Sequence, residues 1–160
     1  MINMKKTTWK TYLFWIVLAE AVGGLSALFT KDSMELYNAV ISQPPLSPPA
    51  IVFPIVWGIL YALMGISAAR IRLSPQTAAK KAGINLFIAQ LIVNFFWSLI
   101  FFNAQAFGFA LLWLILLWVL VFLMIRAFYK VDPLAALLQI PYLVWLTFAA
   151  YLNAGVWYLN

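Results

Sequence analysis

Residues 106–128 read AFGFALLWLILLWVLVFLMIRAF, a run of 23 residues that is apolar but for Arg126 near its end. A helix rises 1.5 Å per residue, so roughly 20 apolar residues cross a hydrocarbon layer ~30 Å thick. This run is long enough to span. Four others approach or exceed the same length, at residues 11–29, 51–69, 83–102 and 134–159. Across the 160 residues 66% are hydrophobic and 9% charged, far from the roughly half apolar and quarter charged mixture of soluble domains. A transmembrane barrel would alternate polar and apolar positions over about ten residues, whereas these runs are predominantly apolar and show no such alternation. The expectation is an all-α bundle of five transmembrane helices forming one domain over residues 1–160, with no soluble domain between them.

The first run follows Lys5, Lys6 and Lys10. It exceeds a usual signal-peptide core and lacks a convincing small-residue cleavage pattern, so it reads as a retained span. The net charge of +6 is strongly sided. With a cytoplasmic N-terminus, the inner segments hold Lys5, Lys6, Lys10, Arg70, Arg72, Lys80, Lys81, Arg126 and Lys130, and the outer ones hold only Lys31. This is the positive-inside pattern; it speaks for a membrane rather than nucleic acid and sets the C-terminus outside. Strong charge bias and the lack of a recognisable transit peptide favour a prokaryotic inner (plasma) membrane. The chain has no cysteine and no histidine, which removes disulfides, thiolate metal sites and imidazole ligation.

Residues 30–50 form the longest connection and carry Pro44, Pro45, Pro48 and Pro49. Such a segment is extended and stiff, suited either to a lid or to plain punctuation between helices. Helix starts are expected at Ser47-Pro48, Ser74-Pro75 and Asp132-Pro133, where a capping oxygen precedes a residue with no N–H to satisfy. Small residues four apart, at Gly23/Ala27, Gly58/Ala62, Gly65/Ala69 and Ala150/Ala154, let helices approach closely. No inverted repeat of the kind found in secondary transporters is visible.

Function in a membrane chain is sought where a polar group has been kept in hydrocarbon at a cost. Glu20 lies mid-span with no basic residue at its depth, and reads as interhelical glue or as a functional carboxyl. Gln90, Asn94, Trp97, Ser98 and Phe101 recur at spacings of three and four, which puts them on one inward face of the third span. Trp145, Ala149, Leu152 and Asn153 make a comparable stripe in the fifth, where Pro141 is expected to bend the helix beside Trp145. Of eight tryptophans, Trp9 and Trp157, with Trp113 as a weaker case, fit the interfacial aromatic belt. Trp57 and Trp145 lie deeper. With Tyr61 one turn below Trp57, they suit either an apolar pocket that stacks a flat ligand or core packing. Paired intramembrane carboxylates and a Gly-rich phosphate loop are both missing from the sequence, which argues against conventional acid–base or metal catalysis.

The run Pro48-Pro49-Ala50-Ile51-Val52-Phe53-Pro54-Ile55-Val56-Trp57-Gly58-Ile59-Leu60-Tyr61-Ala62-Leu63-Met64-Gly65 resembles the first loop and second helix of the translocator protein family, also called tryptophan-rich sensory proteins or peripheral benzodiazepine receptors. Gln90 to Asn94 with Trp97 and Phe101-Phe102 resemble its third helix. Asp132-Pro133, Pro141-Tyr142, Trp145, Phe148-Ala149 and Leu152-Asn153 resemble its fifth. The likeness covers nearly the whole chain and suggests a bacterial member. It implies a five-helix bundle, usually a homodimer, whose pocket opens toward the first loop and binds porphyrins such as protoporphyrin IX, together with isoquinoline or benzodiazepine drugs. By the same resemblance Trp57, Tyr61, Asn94, Trp97, Trp145, Ala149 and Leu152 line that pocket. The implied activity is that of a receptor or sensor, with porphyrin as ligand and no required cofactor. The alternatives are light- and oxygen-dependent protoporphyrin degradation involving Trp57 and Trp145, or transport of porphyrins and other amphipathic molecules. Leu46 and Ile51 stand where many members carry tryptophan, Trp113 where animal relatives carry an acid, and the C-terminus lacks the basic residue of the proposed sterol motif.

Overall fold

The computed structural model describes residues 2–160, with side chains from Thr8 onward. Lys5 and Lys6, part of the expected basic cluster, lie outside the residues whose side chains are described. The described chain is helical, in the order α1 (Ile2–Val40), α2 (Val52–Leu73), α3 (Ala78–Ser98), a π-helical turn (Leu99–Asn103), α4 (Phe107–Tyr129), α5 (Pro133–Leu137) and α6 (Ile140–Leu159). Five segments are long and apolar enough to cross a membrane, α5 and α6 together making the fifth.

Sorting of side chains follows the bilayer rather than water. Leu112, Ile115, Leu116 and Val119 on α4 point outward, while Gln90, Asn94, Gln139 and Asn153 are buried. Polar groups gather inside because the helix interior supplies hydrogen-bond partners that lipid cannot.

The expected 30–50 connection is shorter than the sequence suggested. α1 continues to Val40, because Lys31, Asp32 and Glu35 end the apolar run without ending the helix. No proline occurs before Pro44, and it is proline that disfavours helical backbone at and before itself. The extension leans on the π-helical turn, with the Tyr37 ring 5.5 Å from Phe101 and 5.3 Å from Phe102.

Of the three expected helix starts, one holds. Asp132 caps α5, its Oδ1 accepting from the Leu134 amide at 3.0 Å. Ser47 instead turns back on its own loop, its Oγ donating to the Pro44 carbonyl at 2.7 Å, and α2 begins at Val52. Ser74 closes the end of α2, its Oγ donating to the Arg70 carbonyl at 2.9 Å, while Thr77 caps α3 by accepting from the Lys80 amide at 3.1 Å. In both corrected cases the serine's local partner lies behind it, and the helix waits for a later residue.

The proline-rich segment is fastened across one end of the bundle, here termed the loop end. Asn160 and the Ser42 backbone exchange two hydrogen bonds, at 3.0 and 2.9 Å, and the Tyr151 hydroxyl donates to the Pro45 carbonyl at 2.8 Å. Pro44 is buried over Gly155, where a Cβ would stand 2.6 Å from the Pro44 Cγ. Arg70, Arg72, Lys80, Lys81, Arg126 and Lys130 mark the opposite, basic end.

α2 packs along α1, and α4 along both α3 and α6. α2 meets the fifth span chiefly at the basic end, through α5. There the Arg70 Nε pairs with the Asp132 Oδ2 at 2.7 Å. Burial pushes the Asp132 carboxyl up, but the Arg70 guanidinium and the amides of Ala135 and Leu134 outweigh it and hold the group below the usual aspartate value.

Candidate functional site

The fifth span is broken rather than bent. α5 stops at Leu137 and α6 starts at Ile140, so Pro141 sits in the first turn of a new helix. A proline inside a helix would remove a hydrogen bond and clash with the preceding turn, whereas in the first turn its missing N–H has no intrahelical partner to lose. The break comes before the proline expected to cause a bend. It turns Gln139 inward, where its Nε2 donates to the Ser67 Oγ at 2.7 Å and the Leu63 carbonyl at 3.2 Å. Ser67 in turn donates to the Ala135 carbonyl at 2.9 Å. The Gln139 Oε1 is buried without a partner.

Further along α6 the inward stripes of the third and fifth spans meet. The Tyr142 hydroxyl donates to the Gln90 Oε1 at 2.8 Å and accepts from the Asn94 Nδ2 at 3.0 Å. Nearer the loop end the Trp97 indole N–H donates to the Asn153 Oδ1 at 3.2 Å, and the Asn153 amide donates to the Phe107 carbonyl at 2.8 Å. Asn94 and Trp97 thus spend these donors on other helices. The π-helical turn follows directly, its Ala104 amide donating to the Leu99 carbonyl at 3.0 Å. It sets Phe101 against Trp97, rings 5.2 Å apart and stacked.

Trp57 stands on the α2 side of this polar core. Its ring is 5.6 Å from Tyr61 and 6.1 Å from Tyr142. Trp145 lies 5.9 Å from Phe53 and 5.6 Å from Phe148. Between α2 and α6 runs a groove of about 540 Å³ lined by Val56, Ile59, Leu60, Pro141, Val144, Trp145 and Phe148. Ile59 and Val144 are more than half exposed, so the groove opens sideways to the apolar surroundings of the bundle. Of the seven residues expected to contact ligand, Trp145 lines this groove. Trp57 and Tyr61 do not line it, and Tyr61, Asn94, Trp97, Ala149 and Leu152 belong to the buried interior. Trp145 also carries a buried indole N–H with no acceptor. Burying such a donor costs free energy unless something accepts from it.

A five-span bundle with a proline-rich cap, a broken fifth span and tryptophans on the second, third and fifth spans is now in view. The model of the TspO/MBR family matches residues 15–159. The chain belongs to the TspO/MBR family. It is 37% identical over 154 residues to the tryptophan-rich protein TspO of Chlorobaculum tepidum, covering 94% of this chain and 96% of that one. Protein CrtK of Rhodobacter capsulatus is 35% identical over 150 residues, at 93% and 92% coverage. The translocator protein of Bos taurus is 32% identical over 154 residues, at 95% and 91%. Membership agrees with the multi-pass membrane architecture and with a sensor or translocator role.

For a TspO/MBR chain the sequence reading missed Tyr142 as the bridge between Gln90 and Asn94, and Phe53 and Phe148 as the neighbours of Trp145. Buried bridging tyrosines have no periodic signature, because the partner is on another helix. Trp113, expected as a weaker belt residue, donates its N–H to the Val93 carbonyl at 2.7 Å and links α4 to α3. Glu20 is half-buried on α1 and has no ion-pair partner among the described residues.

Proposed function

We propose that this TspO/MBR protein is a membrane receptor for porphyrins such as protoporphyrin IX and similar flat hydrophobic ligands, held in the α2–α6 groove beneath the loop end. The observation that carries this reading is the Trp145 indole, whose buried N–H is unpartnered beside an apolar groove of about 540 Å³. That volume falls within the roughly 300–1,000 Å³ of small-molecule sites. An indole edge offers a stacking face and one donor, which suits a planar macrocycle with polar substituents. The sideways opening supports delivery from the bilayer. The N-terminus and the basic end face the cytoplasm of a bacterial plasma membrane by the charge asymmetry, and a homodimer is the proposed assembly.

Titration of the purified protein with protoporphyrin IX, followed by tryptophan quenching, tests the site. Trp145→Phe keeps an aromatic face but removes the donor and the larger indole, so affinity is expected to fall at least about fivefold, since one hydrogen bond carries on the order of 1 kcal/mol. Unchanged affinity overturns the groove as the site. Illumination of the complex in air separates a receptor from a degrading enzyme by the appearance of a new absorbing product that requires Trp57 and Trp145.

A further inference from the structure

A second cavity of about 540 Å³ lies at the basic end, lined by Arg72, Gln76, Thr77, Lys80, Lys81, Ile84 and Asn85. It sits where the second and third spans end and begin, at Leu73 and Ala78. We propose that it binds the headgroup of an anionic phospholipid.

The cavity is held open by a built contact. Lys80 is buried, and its Nζ donates to the Arg72 carbonyl at 2.8 Å and the Ser74 carbonyl at 2.7 Å, tying the first turn of α3 to the last of α2. Arg72 and Lys81 remain exposed beside it. The chain holds four acidic residues, and none is available to them. Asp132 is engaged by Arg70 at 2.7 Å, Glu20 lies mid-span on α1, and Asp32 and Glu35 belong to the far half of α1. Three cations therefore converge on one cavity whose countercharge has to come from outside the protein.

The surroundings decide what kind of anion that is. Ile84 forms one wall, and Ile88, one turn deeper on α3, is exposed, as is Leu73 on α2. A ligand seated among the cations thus continues onto apolar helix surface running into the membrane, where acyl chains belong. Basic pockets between spans at the membrane surface take phosphate headgroups on the same grounds. Thr77, Gln76 and Asn85 add polar groups for the phosphate and glycerol oxygens. This site is at the opposite end from the α2–α6 groove and is independent of the ligand proposed there.

Native mass spectrometry of the full chain, with phosphatidylglycerol and phosphatidylcholine supplied in equal amounts, reads the preference directly. Phosphatidylglycerol is expected to be retained, with affinity falling about fivefold for Arg72→Gln or Lys81→Gln and about 25-fold for the pair, from roughly one surface-charge contribution each. Lys130→Gln, at the same end but outside the cavity, leaves retention unchanged. Equal retention of the two lipids, or undiminished phosphatidylglycerol binding by the double variant, overturns the site. Wild-type thermal stability is also expected to rise with phosphatidylglycerol and not with inorganic phosphate. An equal rise with inorganic phosphate assigns the cavity to a free anion and overturns the lipid.

Discussion

Along α2, the seam with α1 is closed at glycines, and the seam with α6 is bridged by rings on both sides. On the first side a Cβ at Gly65 would stand 2.6 Å from the Ile16 nitrogen and 2.8 Å from the Trp15 carbonyl oxygen, and one at Gly23 would stand 2.6 Å from the Tyr61 Cδ2. Small residues there let two helices touch, which in lipid is the main route to helix association. On the second side Phe53 reaches Trp145 and Trp57 reaches Tyr142 at centroid distances of 5.9 and 6.1 Å, with the groove beside them. One helix thus has a fixed face and a yielding one. The proposed receptor role would use both: an anchor at the glycines, and a contact that a ligand can enter without breaking backbone packing.

The sharpest way to break this contrast is a pair of glycine substitutions on α2. Gly65→Ala places a methyl against Ile16 and Trp15 backbone that cannot step aside, so α1 and α2 must separate; a loss of about 3 kcal/mol is expected, at the upper end of overpacking effects. Gly58→Ala meets nothing within 4 Å, and replaces a flexible residue in mid-helix by a better helix former, so stability is expected to hold or rise by up to about 1 kcal/mol. Thermal unfolding in detergent reads both. Gly58 lies two turns before Gly65 on the same helix face, so similar losses at the two glycines mean that the close backbone approach at Gly65 is not what holds α1 and α2 together.

Tyr142→Phe probes what holds α6 in place of close packing with α2. Its hydroxyl serves Gln90 and Asn94 together, so removing it leaves two buried side-chain amides short of a partner, at a cost of about 2 kcal/mol. A change within experimental error would show that the Tyr142 bridge does not hold α6 in place.

The smallest effect is expected at the basic end, where the Arg70–Asp132 pair joins the last turns of α2 to the start of α5. The Asp132 carboxyl lies below its ordinary value in the folded protein. Its contribution is therefore complete above the unfolded aspartate value of about 3.9, and is lost as pH falls through the lower folded value. Arg70 is about a third exposed, with a side-chain accessibility of 32%, which screens the pair and limits its contribution to less than about 1 kcal/mol. Stability is expected to be flat between pH 7 and 5 on account of this pair. Asp132→Asn should remove the loss below about pH 4 and also weaken the cap on α5. A loss between pH 7 and 5 that disappears in Asp132→Asn would contradict the assigned direction.

The five spans were legible because bilayer thickness writes itself into sequence as length and apolarity, and no tertiary contact is needed to read either. The inward face of α3 was equally legible: a spacing of three and four fixes Gln90, Asn94 and Trp97 on one side of any helix. Boundaries were less so. Charges at residues 31–35 mark the edge of hydrocarbon, and α1 runs past it to Val40 because the helix itself stops only near proline. The candidate site was legible as residue types and not as an arrangement. Trp57 and Trp145 are as apolar in the sequence as any other tryptophan, and their different surroundings depend on where α2 leaves α6.

The sequence by itself determined the class of protein, the number of crossings and the polar stripes, since these follow from local periodicity and from the solvent. Tertiary structure alone decided that Tyr142 joins Gln90 to Asn94, that Trp145 keeps an unpartnered N–H beside a groove, and that Lys80 ties α2 to α3. Each of these depends on which side chains from separate helices arrive at the same point, and helical spacing within one segment carries no information about that.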